Sequence, residues 1–117
     1  MMKFGHIEIF VTDPMTSKIF YESILGFEVV DVQDEKYVWM KSDGAHFLLR
    51  PGRMNDQSDS YSSSKSAFVI YTEDLEETIA TLESRGLKFK GSDGSPKCPT
   101  FTDPDGNWFQ LVNPNDH

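Results

Sequence analysis

The sequence of 117 residues predicts an α+β fold made of two βαβββ modules. Three observations predict it. The first half alternates strand-like and helix-like segments in the order β-α-β-β-β, and the second half repeats that order about 60 residues later. The third observation is a closing hairpin, in which the turn residues Asp103-Pro104-Asp105-Gly106 join two runs rich in aromatic and β-branched residues.

The first module begins with a strand over residues 4–11, in which isoleucine and valine alternate with His6, Glu8 and Phe10. A helix is expected next, because Asp13 is a good N-cap and Pro14 a good first helical residue. Its apolar residues recur at helical spacing, at Met15, Ile19, Phe20 and Ile24, and Gly26 is placed to end it. Three strand-like segments follow, at 27–32, 37–41 and 46–50.

The second module repeats these signals. A strand is predicted over 66–71, and Asp74 is the expected N-cap of a helix, with Glu77 completing a capping box and Gly86 ending the helix. The expected buried stripe of this helix is Leu75, Ile79 and Leu82. The three remaining strands are predicted at 87–90, 98–102 and 107–112.

A shift of 60 positions aligns the two modules, placing Thr12 on Thr72 and Gly26 on Gly86. We therefore expect one domain over residues 1–117, with module one at about 3–51 and module two at about 66–113. Between them, residues 52–65 are polar and rich in serine, which is typical of a linker. A lid over a ligand, contacting it through Met54 and Tyr61, is the alternative.

Composition excludes several classes of function. The net charge of −8 argues against a nucleic acid or an anionic membrane as partner. No apolar run is long enough for a membrane span, and the first residues have no signal-peptide-like apolar region, so a cytoplasmic protein is expected. The single cysteine, Cys98, excludes an internal disulfide and any cysteine-cluster metal site.

Several motifs resemble the vicinal oxygen chelate superfamily, which includes glyoxalase I, extradiol dioxygenases and the bleomycin- and fosfomycin-resistance proteins. They are His6-Ile7-Glu8-Ile9, the run from Phe20 to Phe27, Glu83-Ser84-Arg85-Gly86 and the closing hairpin. The resemblance covers essentially the whole chain. It implies that the two modules curl into a cup-shaped mixed sheet, with a site for a small molecule inside the cup, and that the protein is a homodimer.

The same resemblance identifies candidate metal ligands, because metal-using members draw them from the first and fourth strands of each module. His6 matches on the first strand, and Gln110 stands on the closing strand where those members usually have glutamate. The remaining two positions are Ser66, and either Leu48 or Arg50; none of these is a usual ligand. The direction of the nearby His46 is open.

The sequence therefore predicts weak metal binding at best, through His6 and Gln110, since a neutral amide adds no charge to offset desolvation of a cation. His6 packed in the sheet, or hydrogen-bonded to Gln110, is the preferred alternative. Glu8 is the candidate catalytic base, which requires a raised pKa; its alternative is an ion pair with Arg50. The candidate ligand-binding residues are His6, Phe10, Trp39, Arg50, Phe68, Phe101, Trp108 and Gln110.

Three functions remain open. The preferred one is metal-free sequestration of a small molecule in a dimeric cup, with no cofactor; an acidic surface could attract a cationic ligand. The second is a glyoxalase-type lyase or isomerase with a divalent metal (Ni, Zn, Co, Mn or Fe) held by His6 and Gln110. An extradiol dioxygenase has less support, because its two-histidine, one-carboxylate site would lack two of three ligands. The third is a non-catalytic interaction module.

Overall fold

The computed structural model describes residues 1–52 and 59–116. The chain divides into two compact units, Met1–Asn55 and Asp56–His117. Within the described residues, neither α-helix is long and apolar enough to cross a membrane. Met54, one of the two residues named as lid contacts, lies outside the described part of the chain.

Unit 1 contains one helix and a four-stranded sheet. The elements are β1 (Ile7–Val11), α1 (Pro14–Ser23), β2 (Glu28–Gln33), β3 (Tyr37–Ser42) and β4 (Ala45–Pro51). The strand order is β1-β4-β3-β2, with β1 parallel to β4 and the other neighbours antiparallel. This is the β-α-β-β-β order that the sequence predicts.

The two faces of the unit 1 sheet differ in chemistry because strand side chains alternate. On one face Ile9, Val11, Val38, Met40 and Leu49 are buried, and α1 packs against β2, β3 and β4. The register places Glu8 beside Leu48, Leu48 beside Trp39, and Phe10 beside Arg50 on the other face. We call this second face the polar face of unit 1.

Helix α1 begins as predicted but buries a different side. The Asp13 carboxylate accepts the N–H of Met15, and Pro14 is the first helical residue. The buried residues are Pro14, Ser17 and Tyr21, whereas Ile19, expected in the buried stripe, is 59% exposed. The fully buried ring of Tyr21 sets this orientation by packing on Phe27. The predicted stripe left Tyr21 out because it was drawn through other apolar residues at helical spacing.

Unit 2 contains η1 (Tyr61–Ser63), a 3-10 helix, followed by β5 (Phe68–Tyr71), α2 (Leu75–Ser84), β6 (Thr100–Thr102) and β7 (Trp108–Val112). The strand order is β5-β7-β6, with β5 parallel and β6 antiparallel to β7. Asp74 caps α2 as predicted, but its own N–H donates to Thr72 rather than to Glu77. Gly86 follows the helix at φ +102°.

The strand predicted over 87–90 is wrong. This segment is irregular, although Lys90 N–H donates to Thr100 at 2.7 Å and Ser92 forms an isolated bridge with Pro99. The glycines that follow explain the irregularity, because Gly91 and Gly94 both have a positive φ, which bends the chain out of an extended path. The irregular segment still forms backbone hydrogen bonds with the edge strand β6, through Lys90, Gly91 and Thr100.

The two faces of the unit 2 sheet also differ. Four aromatic rings pack on one face, where Phe101 stacks on Phe109 at 5.1 Å between centroids and Phe68 and Phe89 flank the pair. The opposite face carries Val69, Thr100, Thr102, Trp108 and Gln110, by the register of β5 and β6 with β7. We call it the polar face of unit 2.

The internal repeat is present, but its offset is 61 positions in the first strand and helix. The N-caps Asp13 and Asp74 are separated by that number. It also places Glu8 on Val69, and these two residues face the same way in their sheets. The offset of 60 would place Glu8 on Phe68, which faces the aromatic core, so the equivalent of His6 is Ala67 and not Ser66.

The closing turn is held by one buried carboxylate. Asp103, 3% exposed, accepts hydrogen bonds from the N–H groups of Asp105 and Asn107 and from the side chain of Asn107, all at 2.8–2.9 Å. Gly106, at φ +86°, donates back to the Asp103 carbonyl. The turn therefore delivers β7 in a fixed register with β6.

We expect Asp103→Ala to destabilise the protein by about 2 kcal/mol, because it leaves buried donors without acceptors. Urea unfolding followed by circular dichroism measures this. Asp116→Ala is the control, since Asp116 is exposed and its ion pair with Lys97, at 3.6 Å, is at the surface. Equal unfolding midpoints for the two variants would contradict the role given to Asp103.

Candidate functional site

The polar face of unit 1 is organised around Glu8. Arg50 Nη1 donates to Glu8 Oε1 at 2.9 Å, and His6 Nε2 lies 3.1 Å from Glu8 Oε2. The Arg50 guanidinium also lies 6.0 Å from the centre of the Phe10 ring and 5.6 Å from that of Tyr37. The expected ion pair between Glu8 and Arg50 is confirmed.

These contacts change the acid–base character of Glu8. The hydrogen bond from Arg50, followed by that from His6, holds the pKa of Glu8 below its ordinary value. The same pairing raises the pKa of Arg50. Glu8, named as a candidate base, is therefore a weaker proton acceptor than an ordinary glutamate, whereas a base working near neutral pH needs a raised pKa.

His6 lies directly before β1 and packs against a ring on β3 as well as against Glu8. Its ring makes an edge contact with Trp39, with 4.6 Å between centroids, and Trp39 in turn donates to Gln33 at 3.4 Å. His46 stands at the start of β4, exposed and paired with Lys41. His46 is two residues before Leu48 on β4, so its side chain is on the polar face of unit 1. It lies at the opposite end of the strand from Arg50.

The polar face of unit 2 is organised around Gln110. Gln110 Nε2 donates to Asp93 Oδ2 at 2.8 Å and to the Tyr61 hydroxyl at 3.2 Å. The Tyr61 ring makes an edge contact with Trp108, with 6.2 Å between centroids. Burial, and secondarily the charge of Asp93, raises the pKa of the Tyr61 hydroxyl. This neutral tyrosine therefore keeps its proton.

Asp93 is placed by a tight loop between Gly91 and Pro99. Its carboxylate accepts the N–H of Ser95, and its own N–H donates to the Cys98 carbonyl, both at 3.0 Å. Burial, reinforced by Asp93, raises the pKa of the Cys98 thiol, so Cys98 is a poor nucleophile. Sequence reasoning missed Asp93: it lies 17 positions from Gln110, in a segment with no regular periodicity to place it.

Two of the candidate ligand-binding residues are not on the polar face of unit 2. Phe68 and Phe101 both pair with Phe109 in the aromatic core, and Phe101 is fully buried. Because alternate residues face opposite sides, they cannot share a ligand with Gln110 on its face of the sheet. Trp108 does share the face of Gln110. In unit 1, His6, Phe10, Trp39 and Arg50 all belong to the polar face.

The donors present do not fit a divalent metal. The register in each unit makes Leu48 the equivalent of Gln110, because Leu48 pairs with Glu8 as Gln110 pairs with Val69. Leu48 and Ala67, the equivalent of His6, have no donor atom in their side chains. Within residues 1–52 and 59–116, no group of three His, Cys, Asp or Glu side chains could hold a metal ion.

The fold and the motifs point to one family. A model of the Glyoxalase/Bleomycin resistance protein/Dioxygenase superfamily matches residues 3–111. This chain belongs to that superfamily. The predicted fold class and the resemblance seen in the sequence are thereby confirmed.

The solved structures similar to this chain include both a binding protein and an enzyme. A member from Sphaerobacter thermophilus is 28% identical, with a TM-score of 0.67, over 96% of this chain and 98% of its own. The antibiotic-binding protein TnmS3 from Streptomyces sp. CB03234 is 23% identical (TM-score 0.68; 97% and 99% covered). A lactoylglutathione lyase from Agrobacterium tumefaciens is 16% identical (TM-score 0.72; 97% and 95% covered). The last two likenesses show a shared fold.

We expect Arg50→Met to raise the pKa of Glu8 toward its ordinary value of 4.5, which NMR titration of the carboxyl carbon measures. A lowered carboxylate pKa contributes stability above the unfolded-state pKa and loses it as the pH falls through the folded-state value. The difference in stability between wild type and variant should therefore hold at neutral pH and shrink below about pH 4.5. Lys41→Met, which removes the looser pair with Glu28, is the control. An unchanged Glu8 titration in Arg50→Met would refute the assignment.

We expect Gln110→Glu to destabilise the protein at neutral pH by about 2 kcal/mol, because it sets a second carboxylate against Asp93. One of the two carboxyls then has a raised pKa. The variant should lose stability, relative to wild type, as the pH rises through that value. Thermal unfolding between pH 4 and 8 measures this.

Gln33→Glu is the matched control for this variant. Gln33 Nε2 donates to Asp31 at 3.3 Å in the same manner, but at an exposed site where water screens the two charges. A pH dependence of equal size in both variants would mean that burial of the Gln110–Asp93 pair is unimportant.

Proposed function

We propose that this superfamily member binds a small molecule non-covalently and sequesters it, with no metal ion and no chemical step. One observation carries the proposal. Of the four positions from which metal-using members draw ligands, Leu48 and Ala67 offer no donor, and Gln110 offers only the carbonyl oxygen of a neutral amide whose nitrogen donates to Asp93 and Tyr61. That oxygen carries no full charge to offset the desolvation of a cation, so it suits hydrogen bonding to a ligand better than coordination.

The polar face of unit 1 supports the same function. His6 and Arg50 both hold Glu8, so each of its carboxylate oxygens already has a hydrogen-bond partner and its pKa is lowered. A residue in that state orients neighbouring side chains rather than accepting a proton from a substrate. Trp39 and Phe10 add aromatic surface beside this charged group, which is a common composition for a site that holds an organic molecule.

The charge of the protein favours a cationic ligand. With a net charge of −8, the protein attracts cations over distances of about a Debye length, roughly 10 Å at 0.1 M salt. TnmS3 is named as an antibiotic-binding protein, and the superfamily name includes bleomycin resistance. A cationic antibiotic-like molecule is therefore the ligand class that we propose.

Assembly as a homodimer and a cytoplasmic location are part of this proposal. Apolar side chains remain exposed on the chain, and burying them between two copies would be favourable. They include Phe4, Phe10, Ile19, Val69 and Tyr71.

The proposal predicts ligand binding and no metal binding. Protein purified without chelator or affinity tag should contain no stoichiometric metal, and excess Ni, Zn, Co, Mn or ferrous iron should not raise its melting temperature. In a thermal-shift panel of antibiotics paired by charge and including metal-free bleomycin, cationic members should stabilise the protein. Calorimetry should then show affinity that falls as salt rises.

His6→Ala separates this function from the metal-dependent lyase or isomerase. Stoichiometric metal that is present in wild type and lost in His6→Ala would replace sequestration with the enzymatic alternative. A protein that binds neither metal nor any panel member would favour the interaction module.

A further inference from the structure

The side chain of Gln110 is nine-tenths buried, yet its two ends have different surroundings. The nitrogen end faces Asp93 Oδ2 at 2.8 Å and the Tyr61 oxygen at 3.2 Å. A carboxylate only accepts hydrogen bonds, so it fixes which end of the amide faces it. A reversed amide would bring two oxygens together at 2.8 Å. Asp93 therefore determines that Gln110 presents its carbonyl oxygen in the other direction.

That carbonyl oxygen is open to solvent. Gln110 Oε1 accepts no hydrogen bond from residues 1–52 or 59–116, and no buried polar side-chain atom of those residues lacks a partner. An oxygen without a partner must then be reachable from outside. It is an oriented acceptor on a side chain that cannot turn without breaking two hydrogen bonds.

A hydrogen-bond donor stands next to this acceptor. The Tyr61 oxygen accepts from Gln110, which leaves the Tyr61 hydrogen to donate, and that hydrogen has no acceptor in the described part of the chain. Its raised pKa keeps the proton in place. The polar face of unit 2 thus offers one acceptor and one donor on two side chains that the 3.2 Å hydrogen bond from Gln110 Nε2 to the Tyr61 oxygen joins, next to the ring of Trp108.

We propose that Gln110 and Tyr61 form a subsite for a neutral amide-type group, such as a carboxamide, lactam or ureido group. The N–H of the ligand donates to Gln110 Oε1, and its carbonyl accepts from the Tyr61 hydroxyl. Asp93 is a positioning residue that sets this polarity. The inference rests on the proposed function, because it names the chemical group by which a sequestered ligand is recognised.

The arrangement discriminates among close analogues. An N,N-dialkyl amide brings no donor and leaves Gln110 Oε1 covered and unpaired, which costs about tenfold or more in affinity. A carboxylate meets the Gln110 oxygen and the charge of Asp93, and is repelled. A primary amide satisfies both groups.

Benzamide, N,N-dimethylbenzamide and benzoate are the probes. They share one ring but differ in whether they present a hydrogen-bond donor beside the carbonyl acceptor. Titration of the ¹⁵N-labelled protein, followed at the Gln110 side-chain amide, should show benzamide binding at least about tenfold tighter than either analogue. In the ligand-free protein, the same amide hydrogens should exchange slowly with solvent because both are hydrogen-bonded.

Asp93→Asn tests the positioning role. An asparagine both donates and accepts, so Gln110 is free to turn, its hydrogens should exchange faster, and the preference for benzamide over benzoate should fall toward unity. Asp31→Asn is the matched control, because Asp31 accepts from Gln33 at an exposed site. Tyr61→Phe keeps the ring and should weaken benzamide binding by about tenfold, because the carbonyl of the ligand loses its donor.

Equal affinity for benzamide and N,N-dimethylbenzamide overturns the inference, as does the absence of a benzamide-induced change at Gln110 at the solubility limit. If the Asp93→Asn variant keeps the preference for benzamide over benzoate, Asp93 does not have the positioning role. If the protein binds a cationic panel member but does not discriminate among the benzamide probes, the amide subsite is refuted and the proposed function stands. Stoichiometric metal dependent on His6 defeats the proposed function instead, so the two failures are distinguishable.

Discussion

The carboxylate of Asp103 is the constraint on which the rest of unit 2 depends. It closes the turn before β7 with three hydrogen bonds, and β7 is the central strand of its sheet, with every residue buried. A shift of one residue in that strand would exchange its two faces. Gln110 would then enter the aromatic core and Phe109 would replace it on the polar face. The site chemistry therefore follows from the geometry of a turn.

Local signals in the sequence predicted much of the fold. Asp13 and Asp74 cap their helices, and the turn at 103–106 joins two strands, because each of these depends on residues adjacent in the chain. The offset between modules was one residue wrong in the first strand and helix. The glycines after the helices, Gly26 and Gly86, differ by 60, since the second unit has one residue fewer there.

The candidate site was predictable only in part. Alternation along β1 and β7 identified the residues of the polar faces, but Phe68 and Phe101 were expected at a ligand and instead face the aromatic core. Their strands, of four and three residues, are too short for alternation to show which face is buried. Asp93 could not be found, because it meets Gln110 through an irregular loop and not through a strand register. Contacts between residues distant in sequence, where no periodic element connects them, are set by tertiary structure alone.

Gln110 and Asp93 explain each other. A glutamate at position 110, which the resemblance implies for metal-using members, would oppose Asp93 at hydrogen-bond distance with no cation between them. An amide removes the repulsion and converts it into a hydrogen bond. The amide of Gln110 is thus one half of a pair whose other half, Asp93, directs the carbonyl oxygen of Gln110 away from the carboxylate.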